Sequence, residues 1–259
     1  MENQPLISVV TVCYNAVATI EETILSVLNQ TYPNVEYIII DGGSTDGTVD
    51  IIKKYADRLA YWVSEPDEGI YDAMNKGIVV ATGEYINFMN AGDSFYDNDV
   101  LKKIFIDQNV TEDFIAGIAS LKGGRKRFWR PASTDFSFID VCKGHGVNHQ
   151  ASFIKKTLLA NGYDIQYQII ADDLFFIDNV VFKGCSYKAL PIVVSVYDIT
   201  GVSNMASSQL EILNERMKFL ESKLPKRIIY DYIHRKDAVI KHYKMRIKNK
   251  LFNILNRWL

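Results

Sequence analysis

The chain has 259 residues, 48% hydrophobic and 23% charged, enough to bury one substantial core and carry a smaller appendage. Its net charge of -2 hides an asymmetry: residues 216–259 hold 13 Lys/Arg against three Asp/Glu, while the first 215 carry 16 basic and 28 acidic side chains. An acidic body excludes nucleic-acid binding along its length, and three scattered cysteines, Cys13, Cys142 and Cys185, with no CxxC pair argue against a disulfide framework and a zinc centre.

Residues 1–5 are short and polar, and the apolar run 6–14 lacks basic flanks, so the start does not read as a secretory leader. No window reaches the roughly 18 apolar residues of a membrane span, and the odd, widely spaced cysteines fit a reducing cytoplasm, the location expected. Residues 6–14 (LISVVTVCY) have the composition of a strand covered on both faces. Thr19 and Glu22 have capping-box spacing, and Ile20, Ile24, Val27 and Leu28 follow at helical intervals, predicting a helix over 20–28. A second buried strand over 35–41 ends at Gly42 and Gly43. A helix over 49–55, a strand over 59–64, a helix over 70–80 and a strand over 85–89 follow. That alternation implies right-handed crossovers and a mostly parallel sheet.

Such a sheet gathers ligands beyond the carboxyl ends of its strands, and the polar clusters fall there. Tyr14 and Asn15 end the first strand, Asp41 the second; Glu65 and Asp67 follow the third, Asn90 and Asp93 the fourth. Past Asp93 the alternation weakens. A strand is expected over 114–121, a loop or hairpin over 122–130, helices over 153–160 and 173–181, and a strand over 190–197, with 201–203 closing the body.

Each polar cluster has a bland reading beside a chemical one. DGGSTDGT (41–48) is a well-capped turn, or a turn whose leading carboxylate meets a base or ribose. Lys76 is a surface cation, or a partner for phosphate or carboxylate. NAGD (90–93) caps the next helix, or holds a divalent cation against a diphosphate, since Mg²⁺ and Mn²⁺ take only one or two carboxylates beside phosphate and water oxygens. His145 and His149 lie four apart, but Gly144 and Gly146 argue against helical presentation of a zinc pair; either histidine is structural or a phosphate or metal contact. Asp172 and Asp173 suit a helix N-terminus electrostatically, or one is a general base in a partly dehydrated pocket.

Taken in order, SVVTVCYNAVATIEETILSVLNQTYPNVEYIIIDGGSTDGT, SEPDEGIYDAMNKGIVVATGEYINFMNAGDS, NHQASFIKK and ADDLFF resemble the family 2 glycosyltransferases over about residues 6–203. Within that family the chain is most similar to bacterial enzymes of colanic acid, capsule or O-antigen synthesis. The resemblance implies a GT-A fold, an α/β architecture with a mostly parallel central sheet, over residues 1–205: a nucleotide-sugar half to about residue 95 and an acceptor half from 96. It further implies a UDP-sugar or related donor, a Mn²⁺ or Mg²⁺ bridge to its diphosphate, and a glycan or polyprenyl-linked acceptor. Carried over by position, Val12, Tyr14, Asn15, Asp41, Asp67, Lys76 and Asn90 would face the donor, Asp93 the metal, and Asp173 would be the catalytic base. His149 and Asp172 are candidate acceptor or phosphate contacts. The chain departs from the family's Asp-x-Asp-Asp segment, with Asn90 at its first position and Gly92 at its third, so Asp93 alone keeps a carboxylate. The mechanism implied is a single in-line displacement with inversion.

Residues 206–259 read as a basic helical extension. Ile240, Tyr243, Ile247, Leu251, Ile254 and Trp258 recur at three- and four-residue steps, while Lys241, Lys244, Lys248 and Lys250 occupy other directions. Such a helix lies on an anionic membrane surface or folds back onto protein. Rival classes are weaker: residues 6–30 contain no glycine, which argues against a sugar-nucleotide nucleotidyltransferase and a GxGxxG dehydrogenase. A catalytically weakened scaffold protein is the alternative that the NAGD segment suggests.

Overall fold

The computed structural model describes residues 4–122, 127–129, 131, 146–198 and 208–229. The chain divides into two compact units, Met1–Gln209 and Leu210–Leu259. In the first, β1 (Ile7–Cys13), α1 (Ile20–Leu28), β2 (Val35–Asp41), α2 (Thr48–Lys54), β3 (Tyr61–Ser64), α3 (Ile70–Val80) and β4 (Tyr85–Phe88) alternate as the periodicity requires. Every residue of β1 and β4 is buried, so these central strands read as continuous apolar runs. Strands β3, β2, β1 and β4 lie in that order, all parallel, with Cys13 level with Asp41 and Asp41 level with Ser64. Three strand ends therefore meet at one rim.

The sheet continues through β8 (Ser152–Lys155), β6 (Phe114–Lys122), β9 (Tyr187–Asp198) and the short β5 (Ser94–Phe95), with β7 (Arg127–Trp129) on β6. Strand β8 is antiparallel to both β4 and β6, which makes the sheet mixed. Strand β6 pairs antiparallel with β7, while residues 123–126 and 130 of the segment expected as a loop or hairpin lie outside the described residues. Helix α4 (Val100–Lys102) runs into a π-turn over Lys103–Asp107, and α5 (Ala171–Phe176) runs into another over Ile177–Phe182. Helix α6 (Gln209–Lys223) opens the C-terminal segment. No helix among the described residues is long and apolar enough to cross a membrane.

Two expectations are corrected. Residues 153–160 are not a helix: Ser152–Lys155 fills the gap between β4 and β6, with Phe153 fully buried in edge-on contact with Phe105, and a run of i to i+3 turns follows to Gly162. The spacing of Phe153, Leu158 and Leu159 mimics a helix, but unpaired β4 and β6 edges take the strand. The Thr19–Glu22 capping box also does not form. Thr19 turns its hydroxyl back to the Ala16 carbonyl at 3.4 Å, and α1 starts from the turn that Ala16 closes with Ile20 N at 2.9 Å. The basic amphipathic pattern over 240–258, the residues 201–203, His145 and the expected boundary at 205/206 lie outside the described residues.

Candidate active site

The β2–α2 loop is knit by one carboxylate. Asp41 has no exposed surface; its oxygens accept Gly43 N at 3.1 Å, Ser44 N at 2.8 Å, Ser44 Oγ at 2.5 Å, Ser64 Oγ at 2.6 Å and Cys13 Sγ at 3.3 Å. Burial would raise its pKa, but the Ser44 and Ser64 donors outweigh it and hold the carboxyl below its usual range. Beside it, Asn15 adopts φ +48°, the left-handed region that Asn tolerates, and accepts Thr45 N at 3.0 Å. Asp46 accepts Val17 N at 3.0 Å and Thr48 Oγ1 at 2.6 Å, tying the loop to the β1–α1 turn. Asp41 and Asn15 thus use their side-chain oxygens to shape the rim. Val12 sits inside β1, 5% exposed, with its carbonyl taken by Ala91 N.

What the rim presents outward is Tyr14, which is 66% exposed, and the half-buried Asp67. A Cβ built on Gly42 would stand 2.4 Å from Asp67 Oδ2 and 3.5 Å from Tyr14 Cδ2, so these side chains converge over a position that must lack one. Asp67 Oδ1 accepts Gly69 N at 2.9 Å. Lys76 reaches back to that loop, meeting Glu65 at 3.0 Å, Asp72 at 3.6 Å and the Pro66 carbonyl at 2.8 Å; the Glu65 carboxylate raises its pKa. Lys76 therefore holds the segment that carries Asp67.

At the end of β4 the chain turns through Asn90–Asp93, with Asp93 N on the Asn90 carbonyl at 3.0 Å. Asp93 is 5% exposed; Oδ2 accepts Gln150 Nε2 at 2.7 Å and Oδ1 accepts Asp198 N at 2.9 Å, which fastens this turn to β9 and to the 3₁₀ turn His149–Ala151. Burial pushes its carboxyl up to about 6. Asn90 and His149 meet directly, Nδ2 to Nε2 at 2.9 Å, and His149 Nδ1 lies 2.7 Å from Asp172 Oδ2. The Tyr71 hydroxyl donates to Asp172 Oδ1 at 2.6 Å. Burial opposes ionisation of Asp172, but the His149 and Tyr71 contacts prevail and keep its carboxyl below the usual value. Next to it, Asp173 packs on Gly146, where an added Cβ would lie 2.2 Å from Asp173 Oδ1.

The fold thus joins Asn90, His149 and Asp172, three candidates spread over 83 residues, into one hydrogen-bonded run that ends beside Asp173. Sequence reasoning missed Tyr71 and Gln150. Tyr71 lies on the same face of α3 as Met74 and Ile78, where a tyrosine reads as core, and Gln150 carries no motif of its own.

Do these residues suit a divalent cation? Among the described residues no group of three His, Cys, Asp or Glu could hold one alone. Gly92 offers no side chain, and both Asp93 oxygens already accept a hydrogen bond. Asn90 Oδ1, however, is buried without a hydrogen-bond partner among the described residues. A hard cation that draws most of its ligands from a diphosphate and water fits that oxygen, with the Asp93 charge in the same turn.

A model of the family described as Glycosyl transferase family 2 matches residues 8–173. An uncharacterized glycosyltransferase of Mycobacterium tuberculosis is 35% identical over 213 residues, 79% of each chain. A PGL/p-HBAD biosynthesis glycosyltransferase of Mycobacterium bovis is 30% identical over 208 residues, 77% of this chain and 80% of the other. Among solved structures, residues 1–349 of Staphylococcus aureus TarS in complex with UDP superpose with a TM-score of 0.64 at 19% identity, over 83% of this chain and 65% of that one. The mannosyltransferase PcManGT of Pyrobaculum calidifontis, in complex with GDP-Man and Mn²⁺, gives 0.60 at 22% identity, over 78% and 59%. The chain spans only 37% of a longer TarS chain. At these identities the likeness establishes the GT-A fold.

Proposed function

We infer, from the premise that this chain belongs to glycosyl transferase family 2 and is a glycosyltransferase, that it moves one sugar from a nucleotide-diphosphate donor to an acceptor hydroxyl with inversion at the anomeric carbon. The observation that carries this reading is the hydrogen-bonded run from Asn90, just beyond β4, through His149 to Asp172, the residue before Asp173. A UDP-sugar is the donor proposed: the exposed Tyr14 ring offers a face for a flat base, and Asp67 Oδ2, above Gly42, offers an acceptor for the imide N–H of uracil. UDP in the TarS complex supports that choice, and GDP-Man in PcManGT keeps guanosine donors in the test.

Asp173 takes the proton of the acceptor hydroxyl as that oxygen forms its bond to the anomeric carbon. The bond from that carbon to the diphosphate oxygen breaks on the opposite face, and the nucleoside diphosphate leaves with the electron pair. Asn90 Oδ1, with the Asp93 charge in the same turn, would hold Mn²⁺ or Mg²⁺, which would supply counter-charge to the leaving diphosphate. Asn15 and Asp41 keep the base-binding loop in shape, and Lys76 keeps Asp67 in place. The acceptor proposed is a hydroxyl of a glycan or polyprenyl-linked glycan at the cytoplasmic membrane face, because the basic amphipathic pattern of residues 240–258 suits an anionic surface.

The test is a panel of UDP-, GDP-, CMP- and dTDP-sugars, with and without Mn²⁺, read by thermal shift and by release of the nucleoside diphosphate. One nucleotide is expected to raise the melting temperature, and Asp173→Asn to keep that shift while losing turnover by about 100-fold or more. A protein that shifts with no nucleotide is the weakened scaffold instead.

A further inference from the structure

We propose that Tyr71, Asp172 and His149 form a positioning chain that fixes the amide of Asn90, so that its carbonyl oxygen rather than its NH₂ is presented to the cation accompanying the donor diphosphate. The proposal rests on the donor reading above. Its logic runs from the one group whose role is fixed. Ionised Asp172 can only accept, so the Tyr71 hydroxyl donates to Oδ1 and His149 must carry its proton on Nδ1 to meet Oδ2. The structure agrees from the other end: Asn90 Nδ2, an NH₂ that can only donate, stands 2.9 Å from Nε2, so Nε2 accepts with its lone pair and Oδ1 is directed elsewhere.

That oxygen is buried and has no hydrogen-bond partner among the described residues. An isolated asparagine has no reason to choose this orientation. The choice matters because an amide has one oxygen and a carboxylate has two: an aspartate at position 90 offers oxygen whichever way it turns, whereas an asparagine offers oxygen to a hard cation in one of two orientations only. His149 and Asp172 side chains are each only 17% exposed, so water competes little for the contacts that set it. Such outer contacts around a metal-facing atom change cation affinity by about 10–100-fold when removed.

Calorimetric titration of the full chain with UDP, GDP, dTDP and CDP, each in Mn²⁺ and in EDTA, gives the enhancement of nucleotide affinity by Mn²⁺. His149→Leu is expected to reduce that enhancement by about 10-fold or more while leaving affinity in EDTA within about 2-fold. His149→Gln, which can offer an oxygen to the Asn90 amide, is expected to restore most of it. Asn90→Asp should keep the enhancement, and adding His149→Leu to it should then change little, since a carboxylate has no wrong end. Should His149→Leu lack a cooperative melting transition, Tyr71→Phe replaces it, with an expected loss of about 3-fold that Asn90→Asp again abolishes. Equal losses in the wild-type and Asn90→Asp backgrounds overturn the proposal, as does wild-type affinity that is the same in Mn²⁺ and EDTA. Absence of binding by all four nucleotides overturns the donor reading itself and the proposal with it.

Discussion

At the scale of single residues, the candidate site separates side chains that shape the rim from those that face outward. Asp41, Asn15 and Asp46 have the residue types expected of ligand contacts, yet their oxygens are engaged by backbone amides and hydroxyls of neighbouring loops. Tyr14 and Asp67 are left to face a ligand. This division makes Gly42 a sensitive position although it carries no chemistry. Gly42→Ala brings a methyl to 2.4 Å from Asp67 Oδ2, and the exposed 65–68 loop can yield, so the fold should hold. Nucleotide affinity is expected to fall about 10-fold, with a melting temperature within about 2 °C of the wild type, by calorimetry and thermal unfolding on the same preparations. An unchanged affinity would remove Asp67 from the base site. The sequence named Asp67, Tyr14 and Asp41 because they lie at or just beyond the carboxyl ends of strands, but it could not tell a carboxylate that binds a loop from one that binds a ligand. That distinction depends on donors such as Ser64 Oγ, 23 residues away, which no local pattern connects to Asp41.

Among the elements, legibility follows the range of the forces that decide them. The alternation from β1 to β4 was readable because β1, β2 and β4 are almost wholly buried and each helix buries one stripe, so composition and period carry the answer locally. Strand β8 was not readable, since its four residues become a strand only where β4 and β6 leave two edges to fill. Two-residue β5 is likewise set by β9. Helix α3 shows how tightly such contacts are set. Gly77 sits in its middle, where an added Cβ would stand 2.4 Å from Val10 Cγ1 on β1, and β-branched Val10 has little rotamer freedom with which to move away. Alanine is the better helix former by about 1 kcal/mol. Even so, Gly77→Ala is expected to destabilise the protein by about 1–3 kcal/mol in urea unfolding, because overpacking a core outweighs propensity. A stabilised variant would mean that α3 can lift from the sheet at little expense.

For the whole molecule, carboxylates with shifted pKa values pull the pH dependence of stability in two directions. Asp41, Asp172, Glu36 and Asp113 titrate below their ordinary values in the fold. The unfolded chain therefore binds their protons first, and the stability they contribute above about pH 5 is lost as pH falls toward 3. Asp93, raised to about 6 by burial, acts with the opposite sign: between about pH 6 and 4 the folded chain holds a proton that the unfolded chain does not, so acidification through that window adds stability. Urea unfolding across pH is thus expected to give a maximum near pH 5. Asp93→Asn should remove the gain between pH 7 and 5, about 1 kcal/mol, and keep the loss below pH 4, because an amide at position 93 can still accept Asp198 N and donate to the unpartnered Gln150 Oε1. A flat profile from pH 7 to 5 in the wild type would show that Asp93 is not desolvated. By itself the sequence determined the α/β class, the order and place of the donor-side elements, and the residues at their strand ends, since burial of apolar faces and turn chemistry act over a few residues. Tertiary structure alone decided that Asn90, His149, Asp172 and Tyr71 form one hydrogen-bonded run and that Asp93 binds Gln150 and β9, because hydrogen bonds between atoms under 3 Å apart couple residues whose separation along the chain runs from 23 to 105.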